Sequence, residues 1–159
     1  VAVEWCTWAS MHNATAVALS IAATAASTLF GSRRRALLEG EDMTIGVDGA
    51  FERSGRRFLT MATTLNRLIL DLTPFWGEGA KPIRWLDIPA MPPRLLAALM
   101  PTLRGRPHPW MIDAGYASGR ADEMVVEMTR PFVVDGELFD PGPRGILLSA
   151  GQHVGFVAP

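Results

Sequence analysis

The chain has one cysteine, Cys6, and one lysine, Lys81, among its 159 residues. A lone cysteine excludes an intrachain disulfide and any cysteine-built metal cluster. It fits a reducing, cytoplasmic setting. With lysine so scarce, arginine carries nearly all the positive charge. That is a matter of codon bias first and of anion recognition second, although the guanidinium suits bidentate anion contacts. Neither sign of charge is in excess, and the formal net charge is −1. A dedicated nucleic-acid binder, whose affinity rests on a cationic surface, is therefore not expected. His12, His108 and His153 form no HxH or HExxH pair, so a zinc site has no support. No Ser–His–Asp arrangement can be named, which leaves hydrolase chemistry without a basis. Glycine-rich phosphate loops of the GxGxxG or GxxxxGK[ST] kind are missing too.

A long, strongly apolar run is also lacking. Residues 14–30, "ATAVALSIAATAASTLF", are apolar but rich in Ala, Ser and Thr. They fall short of the roughly 20 strongly apolar residues that a spanning helix needs. Arg33, Arg34 and Arg35 follow, as they do behind some anchors, yet a buried helix in a soluble domain is the expectation. Internal repeats and low-complexity linkers are absent. The composition is ordinary for one globular domain with one core.

What is present divides at about residue 40. The first thirty residues favour helix, with Asn13 as a cap within them and Gly31 as a stop. Residues 33–38 continue as a short helix ending near Gly40. Beyond it "MTIGVDGAFE" predicts two strands around an Asp48-Gly49 turn. "RRFLTMATT", "LNRLILDLTPF" (with Leu68, Leu70 and Leu72 spaced by two) and "IRWLDI" read as strands, and "FWGEGAKP" as a glycine-rich loop. "PPRLLAALMPTLRGRP" predicts the one later helix. Pro93 lies in its first turn, Leu95, Leu96, Leu99 and Leu103 on one face, and Pro101 ends or kinks it. "WMIDAGYASG", "EMVVEMTR", "PFVVDGELF", "GILLSAG" and "HVGFV" are further short strands. The expected architecture is α+β and mainly β: an antiparallel β-sandwich over 41–159, with a helical segment over 1–40. The five tryptophans, Trp5, Trp8, Trp76, Trp85 and Trp110, are expected in the core or in pocket walls. The leucine face of the later helix packs on the sheet or lines a lipid channel.

Asp135-Gly136-Glu137 is the most informative tripeptide. Alone, Asp-Gly is an ordinary two-residue hairpin turn with idle carboxylates. In context, "MTRPFVVDGELFDPGPRGILLSAGQHVGFV" resembles the C-terminal end of the diacylglycerol kinase-like lipid kinases, a family that includes undecaprenol, sphingosine and ceramide kinases. Its members end with a Val-Asp-Gly-Glu strand and turn, a Pro/Gly stretch, an "ILLSAG"-like strand and a "VGFV"-like strand. "RLILDLTPFWGEGAKPIRWLDI" and "GYASGRADEMVVEM" are similar to earlier parts of the same domain. The resemblance spans about 43–157. It is strong around Asp-Gly-Glu and loose elsewhere.

The resemblance implies the lipid-acceptor domain of an ATP-dependent kinase. Glu137 would act as the base toward a lipid hydroxyl, and Asp135 with Gly136 and Glu137 would lie near the nucleotide. An alcohol is a poor nucleophile and needs a positioned proton acceptor. Phosphoryl transfer needs a divalent metal as well. The implied cofactors are ATP and Mg²⁺. The implied partners are a lipid substrate, the inner membrane face visited peripherally, and a nucleotide-binding domain with a Gly-Gly-Asp-Gly-Thr loop that this sequence lacks; a homodimer is compatible. Because the chain opens on Val1 inside a predicted helix, excision from a longer polypeptide is expected, and this part alone is expected to be inactive. A second Val-Asp-Gly, at Asp48, is expected to be structural. The family's structural Mg²⁺ site needs an aspartate ahead of the strand "IRWLDI". Here Asp87 comes too late, inside the strand. The rival expectation is a non-catalytic β-sandwich that binds an apolar ligand or a protein, with Asp-Gly-Glu only a turn.

Overall fold

A computed structural model describes residues 34–68, 71–143 and 145–151. The expectations for the first thirty residues, including Trp5 and Trp8, and for "HVGFV" and Leu70 lie outside them.

The chain is α+β and mainly antiparallel β, as its short apolar runs and turn residues predict. Helix α1 (Arg34–Glu39) leads into β1 (Glu41–Val47) through Gly40. Gly40 has φ +60°, and a Cβ there would collide with the backbone carbonyl of Arg57. Only glycine can end the helix and turn the chain this tightly against β2. Gly40→Ala is expected to lower stability by about 1–3 kcal/mol, read as a fall in the urea midpoint.

Strand β2 (Phe51–Thr63) pairs with β1 around the predicted Asp48-Gly49 turn. Then come β3 (Ile83–Pro89), helix α2 (Leu95–Leu103), helix α3 (Pro109–Asp113), β4 (Ala117–Ala121) and β5 (Glu123–Glu127). Strands β6 (Phe132–Val134) and β7 (Glu137–Phe139) form a separate hairpin, and β8 (Ile146–Ser149) closes the order. The main sheet runs β4-β3-β2-β1-β5-β8.

One residue, Asp122, separates β4 at one edge from β5, which pairs with β1. So short a link across the sheet requires it to roll up. One core cluster accordingly joins β1, β3, β4 and β5 through Ile45, Val47, Ile83, Trp85, Ala121 and Met124. Asp48 pins the corner, since its Oδ1 accepts the N–H groups of Asp122 (2.8 Å) and Glu123 (3.0 Å). The only lysine, Lys81, donates to Asp48 Oδ2 at 2.6 Å and lies 3.3 Å from Asp122. Asp48 is therefore structural, as expected. Trp85 is likewise buried, with Trp76 and Trp110 packed against the second core cluster.

That second cluster lies on the opposite side of β3, where Leu86 and Ile88 meet Ala98, Met111 and Tyr116.

Three expectations need correction. First, "WMIDAG" is not a strand but begins helix α3. Pro109 occupies its first position, and the N–H of His108 donates to Met111 Sδ at 3.4 Å. The described residues thus hold two later helices, not one. Second, the described residues between Leu65 and Thr73 form bends and loop rather than a strand. Asp71 has φ +58°, which breaks an extended run. Third, α2 turns small residues inward. Ala98 and Thr102 are buried, whereas Leu96, Leu99 and Met100 are exposed. Ala98 meets Leu86 and Ile88 in the core, Leu95 and Leu103 are half-buried, and Leu96 and Leu99 stand outside the contact. Pro101 lies inside α2 without ending it. The carbonyl that it leaves without an amide partner belongs to Ala97, which is exposed and open to water.

Candidate functional site

The Asp-Gly-Glu tripeptide forms the tip of the β6–β7 hairpin. Val134 pairs with Glu137, which leaves Asp135 and Gly136 as a two-residue loop. Both loop residues have positive φ, +51° and +90°. That is the backbone a tight hairpin of this twist requires, and Asp-Gly is the sequence that adopts it. Asp135, Gly136 and Glu137 are all exposed. Among the described residues neither carboxylate enters an ion pair. The structure thus places the three predicted site residues together, at a solvated tip.

The strands behind the tip are apolar and bare. Val133, Val134, Leu138 and Phe139 are all exposed, Leu138 to 59%. Phe132 and Phe139 lie with ring centroids 6.0 Å apart across the hairpin. A two-stranded hairpin with so little cover among the described residues is marginally stable in water.

An open groove of about 430 Å³ lies at the root of the hairpin. Its walls include Asp42 and Thr44 of β1, Glu127 and Thr129 leading into the hairpin, and Gly142 and Gly145 leading out. Arg130 holds the incoming leg to the sheet through Glu41, 2.7 Å away. Asp135 and Glu137 do not line this groove. Sequence reasoning missed it, because it is formed by segments far apart in the chain.

A second group was also missed. Asp87 is completely buried. The hydroxyl of Thr60 donates to its Oδ1 at 3.1 Å. Arg53 Nη1 and Arg57 Nε approach Oδ2 to 3.1 and 3.3 Å, without the alignment of a hydrogen bond. Arg53 also donates to the carbonyl of Gly115 at 2.8 Å. Burial pushes the Asp87 carboxyl above its ordinary range, while Arg57, Arg53 and Thr60 pull it back. The available signal was a single carboxylate inside the apolar strand "IRWLDI", which becomes β3, directly beside a pair of arginines on β2.

The corner aspartate behaves oppositely. Its bond from Lys81, then those from the backbone of Glu123 and Asp122, hold the Asp48 carboxyl below its ordinary 3.8. The same contact with Asp48 raises Lys81 above 10.5. A carboxyl depressed in the folded state adds stability that is present above the unfolded value and lost as pH falls through the folded one. A raised lysine adds stability that is present below 10.5 and lost as pH rises through its folded value. Asp48→Asn is therefore expected to be less stable than the parent at neutral pH. The gap should shrink as pH drops below 3.8, as checked by urea unfolding along a pH series.

Fit to the implied cofactors can be judged from the donor set. Among the described residues no group of three or more His, Cys, Asp or Glu side chains could hold a metal ion. Asp135 and Glu137 alone do not make a Mg²⁺ site, and no phosphate loop accompanies them. Among the described residues no helix is long and apolar enough to cross a membrane. No protein-family model matches the chain, nor does any curated protein or solved structure.

Proposed function

We propose that this chain supplies the lipid-acceptor domain of an ATP-dependent lipid kinase, with Glu137 as the group that takes the proton from a lipid hydroxyl such as that of diacylglycerol. One observation carries the reading most: Asp135-Gly136-Glu137 presents two solvated carboxylates, without an ion-pair partner among the described residues, at the tip of a hairpin whose flanks are apolar and exposed. A nucleotide-binding lobe docked on those flanks would bury Val133, Val134, Leu138 and Phe139. It would bring the phosphate donor to the tip. ATP and Mg²⁺ would be held chiefly by that lobe, in keeping with the small donor set here.

The part assigned to this chain is limited and physically definite. Glu137 accepts a hydrogen bond from the acceptor hydroxyl and receives its proton as the oxygen bonds to the γ-phosphorus of ATP, the bridging P–O bond breaks and ADP leaves with its electron pair. Asp135 orients the nucleotide at the other side of the turn. Gly136, without a Cβ and with nothing within 4 Å of where one would sit, keeps the turn open to a ligand.

The same bare flanks favour one other reading, a non-catalytic module that pairs this hairpin with a protein partner. Phosphoryl transfer from ATP to diacylglycerol, measured with the nucleotide-binding domain present, separates the two. Turnover that Glu137→Gln abolishes supports the kinase. Turnover indifferent to that change removes the proposed base.

A further inference from the structure

Helix α2 is amphipathic in an unusual sense. At 3.6 residues per turn, Ala98 and Thr102 share one side, and both are buried. Met100 stands on the opposite side, flanked by Leu96 and Arg104. Leu96 is 61% exposed and Met100 48%. Met91, before the helix, and Ile112, in α3, are exposed as well. Leu96, Met100, Met91 and Ile112 thus face outward, while Ala98, Met111 and Tyr116 are packed in the core and Leu95 and Leu103 are half-buried.

Its charge is one-sided. From Ile88 to Ile112 the chain carries Arg94, Arg104 and Arg106 and no Asp or Glu; Asp113 is the first carboxylate beyond. All three arginines are exposed, as is His108. Arg94 lies over the Trp110 ring, 5.6 Å from its centroid. Helix α2 itself carries no charge, but its exposed Leu and Met are flanked by Arg94, Arg104 and Arg106 just outside its ends, with an aromatic at the margin, which suits a short apolar element lying in a lipid–water interface. A second copy of this chain would set three arginines against three arginines, which disfavours a symmetric contact through this face.

We infer that the α2 face, with Leu96 and Met100 at its centre and Arg104 and Arg106 at its rim, docks on an anionic bilayer surface. Apolar side chains enter the headgroup boundary, and the guanidiniums pair with lipid phosphates. The inference deepens the acceptor-domain reading and rests on it for the choice of a lipid phase as partner. It names the surface through which such a domain would meet its substrate.

The test is co-sedimentation of the whole chain with vesicles of phosphatidylcholine alone or of equimolar phosphatidylcholine and phosphatidylglycerol. Strong binding to the anionic vesicles, weak binding to the neutral ones and a decline with added salt are expected. Leu96→Asp combined with Met100→Asp should weaken partitioning at least about tenfold. Arg104→Gln and Arg106→Gln should each weaken it about fivefold, without touching the apolar stripe. Circular dichroism checks that each variant folds, and the two arginine variants keep the test decisive if the aspartate pair does not.

No binding to anionic vesicles, or binding unchanged in all these variants, overturns the proposal. So does a dimer by light scattering that Leu96→Asp dissociates. Glu137→Gln should sediment as the parent does. Vesicle binding by this chain, with no kinase activity when the nucleotide-binding domain is also present, would therefore sink the kinase reading and leave the docking surface standing, and the converse result would do the reverse.

Discussion

Replacing Asp87 with alanine is expected to destabilise the fold by about 3–5 kcal/mol. The carboxylate is completely buried, and Arg57 beside it is 8% exposed. Removing the carboxylate leaves the Arg57 charge out of water with no counter-ion, and Thr60 loses its acceptor. Asp87 contributes no comparable surplus when present. Its raised carboxyl value means that burying the charge costs more than the two guanidiniums return. Stability owed to this site therefore declines as pH rises from 3.8 through the folded value. An apolar replacement of the pair should accordingly be tolerated better than a broken pair. Asp87→Leu combined with Arg57→Met is expected to recover most of what either change loses alone. Urea denaturation of the parent, both single variants and the double variant checks this. Additive losses in the double variant would show that the two side chains do not act together.

Glu137→Gln is expected to reduce kcat for phosphoryl transfer to diacylglycerol by about 10²–10⁴-fold, the usual contribution of a positioned general base. KM for the lipid should change little, because glutamine keeps the shape and can still meet the hydroxyl. Stability should not move, since Glu137 is exposed and makes no ion pair among the described residues. That separation of kcat from both KM and the unfolding midpoint is what distinguishes a proton acceptor from a turn residue. Asp135→Asn is expected to raise KM for ATP more than it lowers kcat. A parallel loss of activity and folding in Glu137→Gln would instead assign this residue to the hairpin alone.

Local chemistry made part of this structure readable. Asp48-Gly49 and Asp135-Gly136 announced two hairpins because few other dipeptides accept two positive φ values in succession. Gly40 marked the end of α1 for the same steric reason. The strands Ile83–Pro89 and Glu123–Glu127 followed from their apolar content. Helix α3 was misread because "WMID" is too short to show a period, and only Pro109 and the packing of Met111 decide it.

The sequence by itself determined the mainly β class, the two Asp-Gly turns and the exposure of a carboxylate pair at one of them. These depend on backbone sterics within a few residues. Only the tertiary structure decided which side of α2 faces out, that Asp48 pins the corner between β4 and β5, and that Asp87 meets Arg53 and Arg57. Those contacts join residues 30 or more positions apart, or depend on which helix residue meets the core across the sheet. Their free energy comes from register and burial, which no local pattern encodes.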